Sequence, residues 1–309
     1  MSADASLGSG LQSEDMPAIQ RAADRSSGRA QKSYLVWTRI RLIFVVVAAI
    51  VGVVRISLHV DRNEVDIAAA VAVICFIVAL VAEVYLLASK PEQTWYHGRA
   101  VAESVKTLTW RYVMRADRFA GDATDREIDS RLLKMIRDII IESPIANEIE
   151  LTQGGQITDR MKSLRSATFE TRRDAYLTGR IDDQINWYSG KATFNRQRAM
   201  FWRWVMLVLE FGGIIGALLL FGEITTISVD GILASMIAGS GAWLEVKQFE
   251  SLSAAYALTA TELQLAREEG NSVTSEGDWS SYVNSAEEAI SREHTMWLAR
   301  RAGPRLRRG

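Results

Sequence analysis

The hydrophobic positions of this chain are gathered into four blocks, and outside them apolar residues recur at helical spacing. The first block is the unbroken run Leu42 to Val54, carried past Arg55 to about Val60; the second runs from Ile67 to Ala82 and, past Glu83, to Ala88. The third extends from Trp204 to Gly222 with Glu210 inside it, and the fourth from about Thr225 to Leu244 with Asp230 near its start. A bilayer core of roughly 30 Å takes about 20 helical residues at 1.5 Å each, so every block has the length of a membrane span. The connectors Asp61 to Asp66 and Glu223 to Ile224 are short and join the blocks pairwise. Paired apolar runs of this length favour spans over the buried helices of a soluble core. The pattern predicts an all-α integral membrane protein: two transmembrane helical hairpins, four spans, and a helical cytoplasmic body.

Helical periodicity continues between and after the blocks. Val101, Val105, Leu108 and Tyr112 form one apolar face between Glu92 and Ala116. Thr124 and Glu127 make the S/T-x-x-E capping box of a further helix that Pro144 stops. From about Arg172 the spacing of Pro and Gly lets one helix run on into the third block. Behind the fourth block, Phe249, Leu252, Tyr256 and Leu263 repeat the spacing, and so, after an expected loop from Gly270 to Ser281, do Val283, Ala286, Ile290 and Trp297. Such stripes pack helix on helix, as in a coiled coil. Residues 1–28, rich in Ser, Ala, Gly and Asp without an apolar run, read as a disordered tail, and the first apolar segment starts too late for a secretory signal.

The expected organisation is a first unit over 29–117 with spans at about 42–60 and 67–88, a helical connector over 118–171, a second unit over 172–302 with spans at about 204–222 and 225–244, and a basic tail over 303–309. A loose duplication accompanies it. Trp37 stands 15 residues before Gly52 and Trp202 stands 14 before Gly216, and Trp95-Tyr96-His97-Gly98-Arg99-Ala100 echoes Trp187-Tyr188-Ser189-Gly190-Lys191-Ala192.

Charge sets the orientation and removes several functions. Arg29, Lys32, Arg39 and Arg41 precede the first block, Lys90 and Arg99 follow the second, Lys191, Arg196, Arg198 and Arg203 precede the third, and Lys247 follows the fourth. The connectors hold only Arg62. The positive-inside tendency therefore puts both termini and the middle section in the cytoplasm. In total 36 Lys and Arg face 37 Asp and Glu, a net charge of -1, so no basic excess points to nucleic acid. One Cys and three His exclude a disulfide framework and a four-ligand zinc site. The mean hydropathy of +0.02 would suit a soluble globule, but it averages over the four blocks.

No catalytic constellation emerges, and the chain is expected to be non-enzymatic, without cofactor or metal. His59, His97 and His294 lie in a connector, beside the membrane and in the last helix, none with a nucleophile in a recognisable motif. Gly154-Gly155 is no phosphate loop, since no G-x-G-x-x-G follows a strand. Cys75, among apolar residues, reads as a packed thiol.

The informative polar groups are in or beside the spans. Glu83 lies five residues and Glu210 six residues inside the inner ends of their blocks, a matched depth of about 8 to 9 Å. A carboxylate in the bilayer interior costs roughly 2.5 to 3.5 kcal/mol, so either each pairs with a base such as Arg41 or Arg203, or both line a water-filled path. Arg55, near the outer end of the first block, is placed to snorkel to Asp61 or Glu64. If a path exists, Asp61, Glu64, Asp66, Glu223 and Asp230 at one mouth and Glu83 and Glu210 near the other predict cation preference. Gly231, Ser235 and Gly239 recur every four residues, and Gly212 and Gly216 give the third block a matching small-residue face. Those faces and the scarcity of polar side chains predict close helix packing and a homo-oligomer in membrane lipid. Arg99, Glu103, Lys106 and Trp110 share another helical face, read either as intrahelical ion pairs or as a subunit contact or anionic-ligand site.

The stretch Trp95 to Tyr112, with Arg99, Ala102-Glu103-Ser104, Lys106 and Trp110-Arg111-Tyr112, resembles the R-x-x-AES-x-K-x-x-x-WRY segment of the SLATT family, the SMODS and SLOG associating two-transmembrane effector domains of bacteria. Asp182-Asp183-Gln184-Ile185-Asn186-Trp187-Tyr188, with Glu288, Glu293 and Trp297 near the end, resembles a second subtype, so two such units stand in tandem. The resemblance implies a membrane effector of a conflict or antiphage response, pore-forming, set off by a nucleotide second messenger or a nucleotide-sensing protein partner. It implies the bacterial inner membrane. The alternative is a non-conducting membrane-anchored scaffold or sensor that binds cytoplasmic partners.

Overall fold

Pro91 and Lys90 show how the chain turns between elements: Lys90 takes the left-handed conformation, φ 42°, its N–H closes on the Leu86 carbonyl, and Pro91 opens the next helix. In the computed structural model, residues 10–53, 57–60, 63–121, 123–150, 153–224 and 229–301 are described, the side chains of 57–60, 63–65, 147 and 292–301 excepted. Helix α1 spans Ala18–Val53, strands β1 (Ser57–Val60) and β2 (Asn63–Asp66) follow, then α2 (Ile67–Ser89), α3 (Pro91–Val113), α4 (Asp125–Glu142) and α5 (Asp159–Arg165). Helix α6 (Phe169–Tyr176) passes through a π-helical turn, Leu177–Asp182, into α7 (Asp183–Phe221), and α8 (Asp230–Lys247), α9 (Phe249–Ser272) and α10 (Glu276–Arg301) complete the fold. The strands pair antiparallel, Ser57 opposite Asp66 and Val60 opposite Asn63.

The chain divides into two units. The first takes residues 1–30, 92–192 and 254–309. Its core is aromatic: Tyr176 meets Trp110 and Trp279 edge-on, each at 5.6 Å, and Trp279 stacks on Tyr282 at 5.2 Å. The expected stripes feed it, since Val101, Val105, Leu108 and Tyr112 of α3 and Ile128, Leu132 and Ile136 of α4 are all buried. The Thr124 box is formed as predicted, with Thr124 Oγ1 accepting from the Glu127 N–H, and α4 ends at Glu142, ahead of Pro144.

Two expectations about this unit are corrected. Residues 10–28 are not a disordered tail: Leu11, Met16, Ile19, Ala22 and Ala23 are buried, and α1 begins at Ala18. Gly154-Gly155 receives that helix start, the Gly155 carbonyl accepting from the Ala18 N–H at 3.2 Å, while Gln156 Oε1 takes the Ile19 N–H. The segment shows no apolar run because its buried residues, Leu11, Met16, Ile19, Ala22 and Ala23, are spaced apart among polar ones. The loop expected over Gly270 to Ser281 shrinks to residues 273–275. Gly270 stays helical, because a Cβ there would lie 2.6 Å from the Tyr282 hydroxyl: this glycine permits close packing and does not stop the helix. Ser275 then caps α10, accepting the Asp278 N–H at 3.2 Å.

The second unit takes residues 31–91 and 193–253. Its burial pattern is the inverse of a soluble core. On α2 the buried residues are Ala68, Cys75, Ala79 and Ala82, while Val73, Ile74, Phe76, Ile77, Leu80 and Val81 are exposed. On α7, Trp204, Leu207, Val208, Phe211 and Leu218 are exposed in the same way. Small residues inside and large apolar residues outside suit helices solvated by lipid, where close backbone approach replaces hydrophobic collapse. Among the described residues, three helical runs are long and apolar enough to cross a membrane, within Ala18–Val53, Ile67–Phe119 and Phe169–Phe221. Helix α8, the fourth expected span, is 18 residues long and carries Asp230, Glu245 and Lys247, which keeps it below that threshold. The first span also differs from expectation: its helix ends at Val53, and Ser57–Val60 are extended. Arg55, Asp61 and Arg62 lie outside the described residues.

Candidate functional site in the membrane unit

The two carboxylates expected within the spans, Glu83 and Glu210, have different surroundings. Glu83 of α2 forms an ion pair with Arg41 of α1, one of the two pairings the sequence left open. Beside it, Tyr85 stacks on Trp37 at 4.6 Å, and the Tyr85 hydroxyl meets Ser33 Oγ at 2.9 Å. Glu210 of α7 is exposed among the large apolar residues of its helix and pairs with none of the described residues. Arg203, the base expected for it, is engaged by Glu250 instead. The two carboxylates therefore do not form one matched pair: Glu83 is neutralised locally and Glu210 stands alone on the outward face.

The small-residue faces are used inside the chain. A Cβ on Gly216 would lie 2.6 Å from Val229 Cγ2, and one on Gly212 lies 3.9 Å from Leu233 Cδ1, so this face of α7 receives α8 and the residue before it. On α8, a Cβ at Gly239 would meet Val46 Cγ2 of α1 at 2.8 Å, and Gly231 approaches Val53 at 4.0 Å. Ser235 returns its hydroxyl to the Gly231 and Ile232 carbonyls of its own helix. The glycines thus fix α7 against α8 and α8 against α1.

The face of α3 defined by Arg99, Glu103, Lys106 and Trp110 is divided rather than open. Arg99 bridges Glu103 at 2.8 Å and Asp24 at 3.5 Å, which is the ion-pair reading of this spacing. Trp110 is turned into the aromatic core of the first unit, so no ligand base can stack on it. Lys106 is half-buried, and burial together with the Arg180 guanidinium pushes its pKa down. Helix α3 is enclosed on both faces, which spacing alone does not reveal.

Sequence reading missed the charged centre of the first unit. Glu287 of α10 is fully buried and accepts from Thr107 Oγ1 at 2.9 Å, Tyr176 OH at 3.1 Å, and Arg180 Nε and Nη2 at 2.9 and 2.8 Å. Burial works against the Arg180 charge, but the Glu287 carboxylate outweighs it and holds the guanidinium pKa above its ordinary value. Arg180 sits in the π-helical turn, the widened geometry often found where a helix carries a special side chain. Its partner is 107 residues away, so no local pattern announces the pair.

The aromatic echo positions behave alike. Tyr96 and Tyr188 are both buried beside their preceding tryptophans, with ring centroids 4.7 Å apart at Trp95–Tyr96 and 4.9 Å apart at Trp187–Tyr188. Trp187 and Tyr188 also meet Tyr256 of α9 at 5.5 and 5.7 Å. The side chains of Glu293 and Trp297 are outside the described residues.

Comparison with known proteins gives two matches in tandem. The family model for SMODS and SLOG-associating 2TM effector domain 3 matches residues 17–173, and the model for domain 1 of the same series matches residues 176–297. The first begins at the start of α1, within the stretch that composition alone assigns to a tail. No curated protein and no solved structure matches the chain.

Proposed function

This chain belongs to the SLATT family of SMODS and SLOG-associating two-transmembrane effector domains, and from that premise we propose that it is an oligomeric, ion-conducting effector of the bacterial inner membrane. The observation that carries the proposal is Glu210. A carboxylate facing hydrocarbon costs roughly 2.5 to 3.5 kcal/mol at the bilayer centre and less toward the edge, and Glu210 has no base near it among the described residues. Facing a water-filled lumen between subunits would remove that cost. Leu258 and Leu265, seven residues apart on α9 and 61% and 69% exposed, give the first unit an apolar stripe suited to a neighbouring copy.

In this reading α8 is the fourth span, at about 27 Å of helix, and the basic flanks hold both termini in the cytoplasm. The name of the matched domains associates them with SMODS and SLOG, and on that ground we assign nucleotide sensing to a separate partner, with the present chain as its non-enzymatic target. Because Arg41 neutralises Glu83, the inner ring of charge in an oligomer reduces to Glu210, with Asp66, Glu223 and Asp230 toward the other end. Cation-selective ion flux through proteoliposomes is the test. A sealed bilayer with cytoplasmic partner binding would instead identify a scaffold.

A further inference from the structure

Two exposed helix faces of the first unit, one on α4 and one on α9, carry opposite charge around apolar side chains. At about 100° of turn per residue, Arg126, Ser130, Leu133, Lys134, Arg137 and Ile141 fall within roughly 100° of the α4 circumference. All six are exposed, Ile141 to 71%, and this arc holds three cations and no carboxylate. Among the described residues, Arg126, Lys134 and Arg137 form no ion pair. On α9, Leu258, Glu262, Leu265 and Glu269 are exposed within roughly 60° of one another, with Glu268 beside them. The cation of this stretch, Arg267, lies on the opposite side and pairs with Asp182 at 2.8 Å. Glu262, Glu268 and Glu269 form no ion pair among the described residues.

We propose that the α9 face of one copy docks on the α4 face of the next, a head-to-tail contact between identical chains. Charge complementarity selects this occupant. Two α9 faces would bring glutamates against glutamates, and two α4 faces cations against cations, so both like pairings are opposed while α9 on α4 is favoured. The spacing agrees. Leu258 and Leu265 are seven residues apart and Leu133 and Ile141 eight, about 10.5 and 12 Å along their helices. Glu262 stands between the first two, and Lys134 and Arg137 between the second, so the apolar pairs meet with opposite charges in register. A contact between two different faces is heterologous, and it builds a ring where the rotation closes, which is the symmetry that a shared lumen requires. The inference rests on the oligomer reading above and names the contact that assembles it.

The test uses the full chain in mild detergent, with and without added phosphatidylglycerol, its oligomeric state read by light scattering over a range of concentrations. A first variant, Glu262→Lys with Glu269→Lys, makes both faces basic; a second, Lys134→Glu with Arg137→Glu, makes both acidic. Each alone should associate at least about ten-fold more weakly than wild type, because its two faces repel. Mixing the two variants should restore association, and so should combining all four substitutions in one chain, which separates lost complementarity from lost folding. Association unchanged in both variants, or a mixture that stays dissociated, would overturn the pairing. So would a loss confined to one variant: in the first it would give the α9 face a different basic partner, and in the second, if it depends on phosphatidylglycerol, it would give the α4 face to the lipid surface. A wild type that is monomeric at every concentration refutes the oligomer reading itself, whereas an oligomer indifferent to all four substitutions refutes this contact alone.

Discussion

Glu287 and Arg180 are the residues on which the first unit depends most. Four donors converge on one buried carboxylate, so Glu287→Gln removes the charge that compensates Arg180 and leaves a guanidinium unpaired in the core. Breaking a buried pair in this way costs about 3 to 5 kcal/mol. Thermal unfolding of the detergent-solubilised protein is expected to show that loss, with partial recovery when Arg180→Met is added; a melting point equal to wild type would contradict it. Lys106 offers a test with a sign. Its folded pKa lies below the 10.5 of an exposed lysine, so between the two values the unfolded chain binds more protons and stability rises with pH. Lys106→Met should therefore raise the melting temperature at neutral pH, with an advantage that shrinks as pH approaches 10.5, and a pH-independent advantage would argue against the burial of that charge. Of these residues, Lys106 stands in a readable motif. Glu287 and Arg180 are singled out by no spacing, because what makes them special is contact across 107 residues.

Local chemistry decided which elements were legible. The Thr124 box and Pro144 delimit α4 within a few residues of where the chain turns, since caps and proline act on neighbouring backbone. The end of the first span was not legible: Ser57, Leu58, His59 and Val60 extend an apolar run but pair as a strand with Asn63–Asp66, and pairing depends on a partner segment. Gly270 was misread for the same reason, as its small size serves Tyr282 rather than a turn. The glycine faces of α7 and α8 were legible as packing surfaces, but their partners turn out to be helices of the same chain. Gly239→Ile tests this contact. With a Cβ due 2.8 Å from Val46 Cγ2, the substitution should overpack α8 against α1 and cost about 1 to 3 kcal/mol. Gly241, with nothing within 4 Å of its Cβ position, is the control, and Gly241→Ala should be neutral or stabilising. Equal effects at both sites would remove the α8 to α1 packing from the account.

At the scale of the molecule, the sequence announced a membrane protein through the size of its apolar blocks, and the two family matches agree with its tandem organisation. The fold adds the inverted burial of the second unit and the aromatic core of the first, neither visible in a mean hydropathy of +0.02. The proposed topology is open to labelling: a cysteine replacing Thr124 should resist membrane-impermeant maleimide applied outside intact cells, and one replacing Asp61 should react. The reverse pattern would invert the orientation. Conduction is the central claim, and it is tested most directly by reconstituting the full chain into liposomes loaded with a potassium-sensitive dye and imposing a potassium gradient. Potassium flux that rises steeply with the protein-to-lipid ratio, exceeds chloride flux, and falls with Glu210→Gln is the predicted result. Liposomes that stay sealed at every ratio, with the protein verified as membrane-integrated and with the partner sensor and its nucleotide supplied, would contradict it.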